Sequence, residues 1–506
     1  MHRSRKYSYN IFMLRRLFAL VLLLAALPAA AQIPHLKGGQ LIVDGKPFLI
    51  FGGELGNSSA SDLAWLAPRW ARMRAMHLNT VLTPVSWELI EPAEGHYDWT
   101  SIDWLVADAR ANDMRLVLLW FGAWKNSMST YVPGWVKRDR KRFPYALDAS
   151  GQPQEILSAF APATRDADAR AFAALMKHLR ETDGERHTVI MVQVENEMGF
   201  LPDAREHGAL ADAAYAKAGG DEEAFTALAY ARYTDAVAKA GKREYPLPMY
   251  VNGAQAYPGR KPGQYPAGGP LAHLWERWKR GAPSVDFLAP DIYFPNFAAI
   301  AEGYARPGNP LFVPEANYAG DARVVPNAML VFGKYRGFGF SPFSIDGLEG
   351  AGAERLGGLY AMLDNLAPAI LAAQAEGRIM GFGMPATPEG KADESVQTSE
   401  LGGARFSVTF IDPWTARDKQ APAEHGGLII WLGGEEYLVA GRGVTVTVEP
   451  VDGKGRFGLE QVDEGSFVKG AWAAGRRLNG DQTHQGRHVR LPPDAFGIQK
   501  VRLYRY

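Results

Sequence analysis

The sequence predicts an α/β chain, a (β/α)8 barrel of the TIM type followed by a smaller C-terminal β-sandwich domain. Three observations lead there. From Gln32 to about residue 380, eight short β-rich runs alternate with stretches of helical periodicity, the pattern of a parallel sheet wound with helices. Beyond residue 380 the periodicity gives way to short alternating runs punctuated by Gly, Asp, Asn and Pro, as in two packed sheets. The first run ends Phe51-Gly52-Gly53-Glu54-Leu55-Gly56, which lacks the G-x-G-x-x-G spacing of an open nucleotide-binding sheet.

The eight strand runs lie at 47–53, 79–84, 115–121, 188–195, 248–252, 286–292, 310–315 and 338–343. Helical stretches fall at 62–76, 101–111, 168–181, 222–240, 271–280 and 358–374. In the third of these, Phe172, Leu175, Met176 and Leu179 recur at spacings of three and four, which marks one buried face. Each strand is followed by a helix or a helix-length segment, so closure into a barrel is the economical arrangement. The later β runs are 404–411, 427–432, 444–448 and 500–506, and a boundary falls within 378–400, where Gly and Pro cluster. The expected organisation is a signal peptide over 1–31, a barrel over 32–380 and a sandwich over 381–506.

The leader is read from Arg15 and Arg16, the apolar run 17–27, and Pro28 with Ala29, Ala30 and Ala31. The run is shorter than the roughly 20 apolar residues that span a bilayer, and the small residues fit a cleavage site before Gln32. Export to the periplasm or beyond is therefore expected, with no membrane insertion after cleavage. There is no cysteine, so no disulfide or thiolate metal site stabilises the chain, and its stability must come from a large core. Lys plus Arg and Asp plus Glu are both 55. That balance gives no overall basic field to hold nucleic acid or an anionic membrane. Histidines number only 11, and His77, His187 and His207 fall outside strands with no H-x-H pair, so neither a metal nor any other cofactor is expected.

Barrel enzymes carry their chemistry at the C-terminal ends of the strands. Two such ends stand out: Met191 to Glu197, which closes on Glu195-Asn196-Glu197, and Val313-Pro314-Glu315. A carboxyl just past an apolar strand sits at the rim beside a low-dielectric wall, where one acid is held neutral while another stays ionised. Glycosidic cleavage needs such a pair, an acid to protonate the leaving oxygen and a carboxylate to attack the anomeric carbon.

Val194-Glu195-Asn196-Glu197-Met198-Gly199 resembles the acid/base motif of glycoside hydrolase family 35, the β-galactosidases, within the wider group of barrel hydrolases with Asn-Glu after strand four. Asn79-Thr80-Val81 with Trp87-Glu88-Leu89-Ile90-Glu91-Pro92 and Gly95-His96-Tyr97-Asp98-Trp99 is similar to that family's strand-two region. The likeness covers roughly residues 40–345. It implies a retaining, exo-acting β-galactosidase with Glu197 as acid/base and Glu315 as nucleophile. It further implies that Asn196 bonds the sugar 2-hydroxyl and that Tyr293 orients Glu315 through its phenol proton. Terminal galactose on a hemicellulose side chain of plant cell walls is a natural substrate consistent with export.

Other rim residues carry two readings each. Glu54 binds a sugar hydroxyl or pairs with an arginine. Trp87 and Trp124 floor a sugar subsite or belong to the core. Asn126 is a further substrate-binding candidate, whereas Glu91 and Glu94 read as loop structure and Trp275 and Trp278 as packing. One departure bears on the substrate. Where the galactosidases carry Ala-Glu-Trp after strand three, this chain has Gly122-Ala123-Trp124-Lys125-Asn126, so Ala123 stands where a galactose-binding Glu is usual. A β-glycosidase for glucose, xylose or arabinopyranose is thus the alternative within the class, and a non-catalytic carbohydrate-binding protein the alternative outside it. The C-terminal sandwich resembles an accessory domain found behind such barrels in a bacterial subgroup, read here as structural support.

Overall fold

A computed structural model of the protein describes residues 32–506; the leader expected over 1–31 lies outside the described residues. Eight parallel strands close into a barrel in chain order. They are β1 (Ile50–Glu54), β2 (Thr80–Ser86), β3 (Arg115–Lys125), β4 (Val189–Asn196), β5 (Met249–Ala254), β6 (Phe287–Ile292), β7 (Phe312–Tyr318) and β8 (Gly339–Phe343). Closure is made by β8 on β1, where Gly339 pairs with Ile50 and Phe343 with Glu54. All eight expected strand runs are present.

The barrel interior is apolar at its N-terminal end. Ile50, Leu82, Val117, Leu119, Ile190, Phe287, Phe312 and Phe338 fill it, and Leu41 and Val43 of a small preceding sheet (His35–Lys37, Gln40–Val43, Lys46–Phe48) join the same cluster. Tyr250 stacks on Phe287 with centroids 5.3 Å apart, and Phe312 on Phe338 at the same distance. This floor is packed, as in barrels whose chemistry lies at the C-terminal face.

The surrounding helices follow the apolar periodicity. Helix α1 (Thr100–Ala111), α2 (Pro162–Asp183), α3 (Glu222–Glu244) and α4 (Gly350–Glu376) are the long ones. Phe172, Leu175, Met176 and Leu179 of α2 are all buried. Asp221 caps α3 by accepting from the Ala224 amide at 2.7 Å, and Gly377 ends α4 in the left-handed conformation at φ +67°, where glycine carries no steric cost. The helix expected over 62–76 is instead broken into Leu63–Leu66, a 3-10 turn Ala67–Arg69 and Trp70–Ala75. Pro68, in the turn, has no amide to donate. Helix α4 is long and apolar enough to cross a membrane by length and composition. In the fold it packs Leu356, Leu359, Leu363, Leu366 and Ile370 into the main core.

Residues from Ile379 onward form the two sheets of a sandwich. The six-stranded sheet runs Ile379–Gly383, Gly426–Gly433, Glu436–Arg442, Gly497–Arg505, Phe457–Val468 and Ala471–Arg477. The four-stranded one runs Gln397–Leu401, Ala404–Thr409, Val444–Pro450 and Val489–Leu491. Phe382, Phe406, Val408, Phe410, Tyr437 and Val446 make the core between them. Trp431 and Trp472 are half-buried. The sandwich is tied to the barrel at several points. Asn365 of α4 exchanges two hydrogen bonds with the Phe467 backbone, both 2.9 Å, and Arg355 at the start of α4 pairs with Glu424 at 2.9 Å.

Candidate active site

The strand ends at the mouth converge four carboxyls on one ammonium. Glu54 closes β1, Lys125 closes β3, Glu197 follows β4, Asp291 lies on β6 and Glu315 on β7. Asp291 and Glu315 are register partners on adjacent parallel strands, and so are Lys125 and Asn196 on β3 and β4. Glu54 and Asp291 are almost fully buried, and Glu315 is only 6% exposed.

The tip of β4 is shaped by unusual backbone. Glu195 and Glu197 have φ of +61° and +46°, a region that non-glycine residues enter rarely and at some cost. The contacts that hold it are specific. The Glu195 carboxylate turns back and accepts from the Trp124 amide at 2.8 Å. Asn196 Oδ1 accepts from the Lys125 ammonium at 2.9 Å. The Glu197 amide donates to Asn252 Oδ1 at 3.1 Å, while Asn252 Nδ2 donates to Asp291 at 2.6 Å. Because an ammonium only donates, the Lys125 contact fixes the Asn196 amide with its Nδ2 as the remaining donor. That Nδ2 is buried and meets no protein acceptor.

Behind this tip lies a second acid pair. Asp168 of α2 accepts from the Trp120 indole and the Tyr233 hydroxyl, both at 2.8 Å, and from the Ala123 amide at 3.3 Å. Burial first, and then each other's proximity, push the Glu195 carboxyl far above the usual range; burial also raises Asp168. A Cβ at Gly122 would stand 2.8 Å from Glu195 Oε1 and 2.9 Å from Asp168 Oδ1, so only glycine leaves room there.

Electrostatics sort the front cluster. Glu315 is pushed up to about 7, by burial first and then by the charge of Glu197, while Lys125, the Tyr293 hydroxyl and Glu54 pull it down. Burial and the Glu315 charge hold Glu54 well above the carboxylate range, and burial with Glu315 and Glu197 does the same for Asp291. Both shifts favour the neutral acid, which sets Glu54 and Asp291 apart from Glu315. Tyr293 donates its phenol proton to Glu315 Oε1 at 2.5 Å. Glu315 Oε2 has no hydrogen-bond partner.

The expected site residues thus divide. Glu197, Glu315, Asn196, Tyr293 and Glu54 come together at the mouth. The arginine pairing weighed for Glu54 is not formed; its charged neighbours are Glu315, Lys125 and Glu197. Trp87 and Trp124 are corrected to core. Trp87 donates its indole proton to Glu91 at 2.6 Å and packs against Trp120 and Trp135. Trp124 is enclosed by Tyr230 and Tyr233, centroids 5.6 and 4.8 Å away. Both are fully buried and present no face to a sugar. Asn126 follows β3 and is half-buried; its Oδ1 accepts from the Met128 amide at 2.9 Å and its own amide donates to Asn196 O at 2.9 Å. Glu91 and Glu94 are loop structure, Glu91 bound to Trp87 and Gly95, Glu94 ion-paired with Arg142.

Sequence reasoning missed Asp291, Asn252 and Asp168. Asp291 lies one residue before the end of an apolar strand run, close to the signal that marks Glu197 and Glu315. Asp168 lies one turn before Phe172 on the buried face of α2, a polar residue on an apolar stripe and a weaker signal. Among the described residues no group of three or more His, Asp or Glu side chains is arranged to hold a metal ion.

Residues 63–225 match the model of the family described as "Beta-galactosidase" (Glyco_hydro_42). Residues 356–490 match a "Domain of unknown function (DUF5597)". A β-galactosidase of Xanthomonas manihotis is 32% identical over 234 residues, 42% of this chain and 35% of the relative. The match thus spans about a third of that relative's length. Among solved structures, the cold-adapted β-galactosidase of Rahnella sp. R3 aligns with a TM-score of 0.48 and 14% identity, over 64% of this chain and 57% of that one. The catalytic domain of a β-amylase from Paenibacillus polymyxa aligns at 0.46 and 11%, over 60% and 94%. An exo-β-1,4-mannosidase from Opitutaceae bacterium strain TAV5 aligns at 0.41 and 16%, over 62% and 54%.

Proposed function

We propose that this chain is a retaining, exo-acting β-glycosidase of the β-galactosidase type. The observation that carries the reading is the Glu197–Glu315 pair: two carboxyls, one just past β4 and one on β7, close enough for the charge of one to shift the other, with Tyr293 bonded to Glu315. Glu315, as carboxylate, attacks the anomeric carbon while Glu197 protonates the departing oxygen. The resulting glycosyl ester is then cleaved by a water that Glu197 deprotonates, restoring both groups. Asn196 Nδ2, an unmet donor beside Glu197, suits the sugar 2-hydroxyl oxygen, a contact that tightens in the transition state. The Tyr293 hydroxyl steadies Glu315 before attack and is free to bond the departing carboxyl oxygen afterwards.

Galactose is favoured as glycone by the family match over 63–225 and by the Xanthomonas relative. The motif around Asn196-Glu197 resembles that of family 35, while the model matched over 63–225 is described as that of another β-galactosidase family; the mechanism proposed is the same in either. Ala123 has no carboxyl for the sugar, and the buried Glu54 carboxyl takes over that contact from the end of β1. Glucose, xylose or arabinopyranose as glycone is the reading that Ala123 keeps open. Residues 1–31 support export and, with it, a polysaccharide substrate such as hemicellulose. The test is a panel of aryl β-glycosides with wild type, Glu197→Gln and Glu315→Gln. The galactoside is cleaved fastest, and both variants lose at least ~10³-fold in kcat/KM on substrates with poor leaving groups. A wild type inert on every glycoside overturns the reading.

A further inference from the structure

The loops beyond β5 to β8 carry aromatic rings that the carboxyl chemistry does not use. Tyr318 is the last residue of β7, three positions past Glu315, and is 66% exposed. Its ring is braced edge-on by Tyr293, centroids 5.8 Å apart, and obliquely by Phe343 at 6.0 Å. Farther round the rim, Tyr257 and Phe294 form another edge-on pair at 5.5 Å. The Tyr257 hydroxyl donates to Glu389 of the sandwich domain at 3.2 Å.

Depth decides what Tyr318 can touch. Glu54, Asn196 and Asp291 are at most 1% exposed, and Glu315 and Lys125 are 6% and 7%. A sugar whose anomeric carbon sits at Glu315 is therefore sunk among buried polar groups, and only its leaving group rises to the level of an exposed rim residue. A pyranose presents a face of C–H bonds that packs well on an aromatic ring. We propose that Tyr318, braced by Tyr293 and Phe343, is the stacking platform for the first sugar of the leaving group, so that the substrate is a glycone carried on an oligo- or polysaccharide. The proposal rests on the glycosidase reading above.

The test compares wild type, Tyr318→Ala and Tyr318→Phe on two substrates sharing the glycone that wild type prefers: its methyl β-glycoside and the same sugar β-linked to a trisaccharide. The ratio of kcat/KM, trisaccharide over methyl, falls about tenfold in Tyr318→Ala and stays within about twofold in Tyr318→Phe, because the ring and not the hydroxyl does the stacking. An unchanged ratio in Tyr318→Ala, an equal loss on both substrates, or a Phe variant as poor as Ala each overturns the proposal. A wild type that cleaves neither these nor any aryl glycoside overturns the glycosidase reading itself, and this proposal with it.

Discussion

Replacing Tyr293 by Phe removes one hydroxyl and leaves the ring that packs against Tyr318 and Phe343. The hydroxyl donates to Glu315, whose carboxyl stands at about 7 with that bond in place. A hydrogen bond to a charged acceptor contributes roughly 1.5–3 kcal/mol, and about 1.4 kcal/mol corresponds to one pKa unit. The donor stabilises only the ionised form, so its loss raises the Glu315 pKa, by about one to two units on those figures. At pH 7 the ionised fraction then falls from about half to between roughly a tenth and a hundredth. The assay is kcat/KM against pH on a dinitrophenyl glycoside, whose leaving group needs no protonation and so reports Glu315 without Glu197. The acid limb moves up by about one to two units, activity at pH 7 falls roughly 5- to 50-fold, and the deficit shrinks as pH rises. A uniform loss at every pH, with the limb unmoved, refutes the assignment of Tyr293 as the group that keeps Glu315 ionised.

Other outcomes follow from the same contacts. In wild type the acid limb lies near the value of about 7 held by Glu315, as an apparent constant of the whole cluster; a limb near 4 on the dinitrophenyl glycoside contradicts it. Lys125→Met removes the ammonium that pulls Glu315 and Glu54 down and that fixes the Asn196 amide, so kcat/KM drops by about 10²-fold and the acid limb rises; an unmoved limb counts against it. Glu54→Ala raises KM for a galactoside more than for a xyloside, and equal effects on the two sinks its role in sugar choice. Asp168→Ala strands the Trp120 and Tyr233 donors and the Ala123 amide. At about 1–3 kcal/mol for each buried donor left unmet, urea unfolding shows a loss of at least about 3 kcal/mol, and a loss below 1 kcal/mol refutes the bracing role.

The barrel strands were legible because each is a short apolar run between turn residues, and a strand buried on both faces leaves that trace in any context. Glu197 and Glu315 were legible for a related reason: a carboxyl at the end of such a run breaks the pattern. Pro68 was in plain view, yet the apolar spacing around it outweighed the missing amide in the reading of 62–76. Depth was not legible. Trp87 and Trp124 sit at strand ends as sugar platforms do, and only the fold shows that one turns inward to Trp120 and Glu91 and the other between Tyr230 and Tyr233. Asp291 and Asn252 acquire meaning from register across β4 to β7, a long-range property that spacing along the chain does not encode. Asp168 acquires it from how α2 docks on β3 and β4.

The central claim is that Glu315 forms a covalent bond to the sugar. Incubating wild type with a 2-deoxy-2-fluoro-β-glycoside of the preferred sugar bearing a dinitrophenyl leaving group slows breakdown of that ester enough to trap it. Peptide mapping by mass spectrometry then places one fluorosugar on the peptide containing Glu315, and Glu315→Gln takes up none. Label on Glu197, or release of dinitrophenol with inverted sugar and no adduct, contradicts the account.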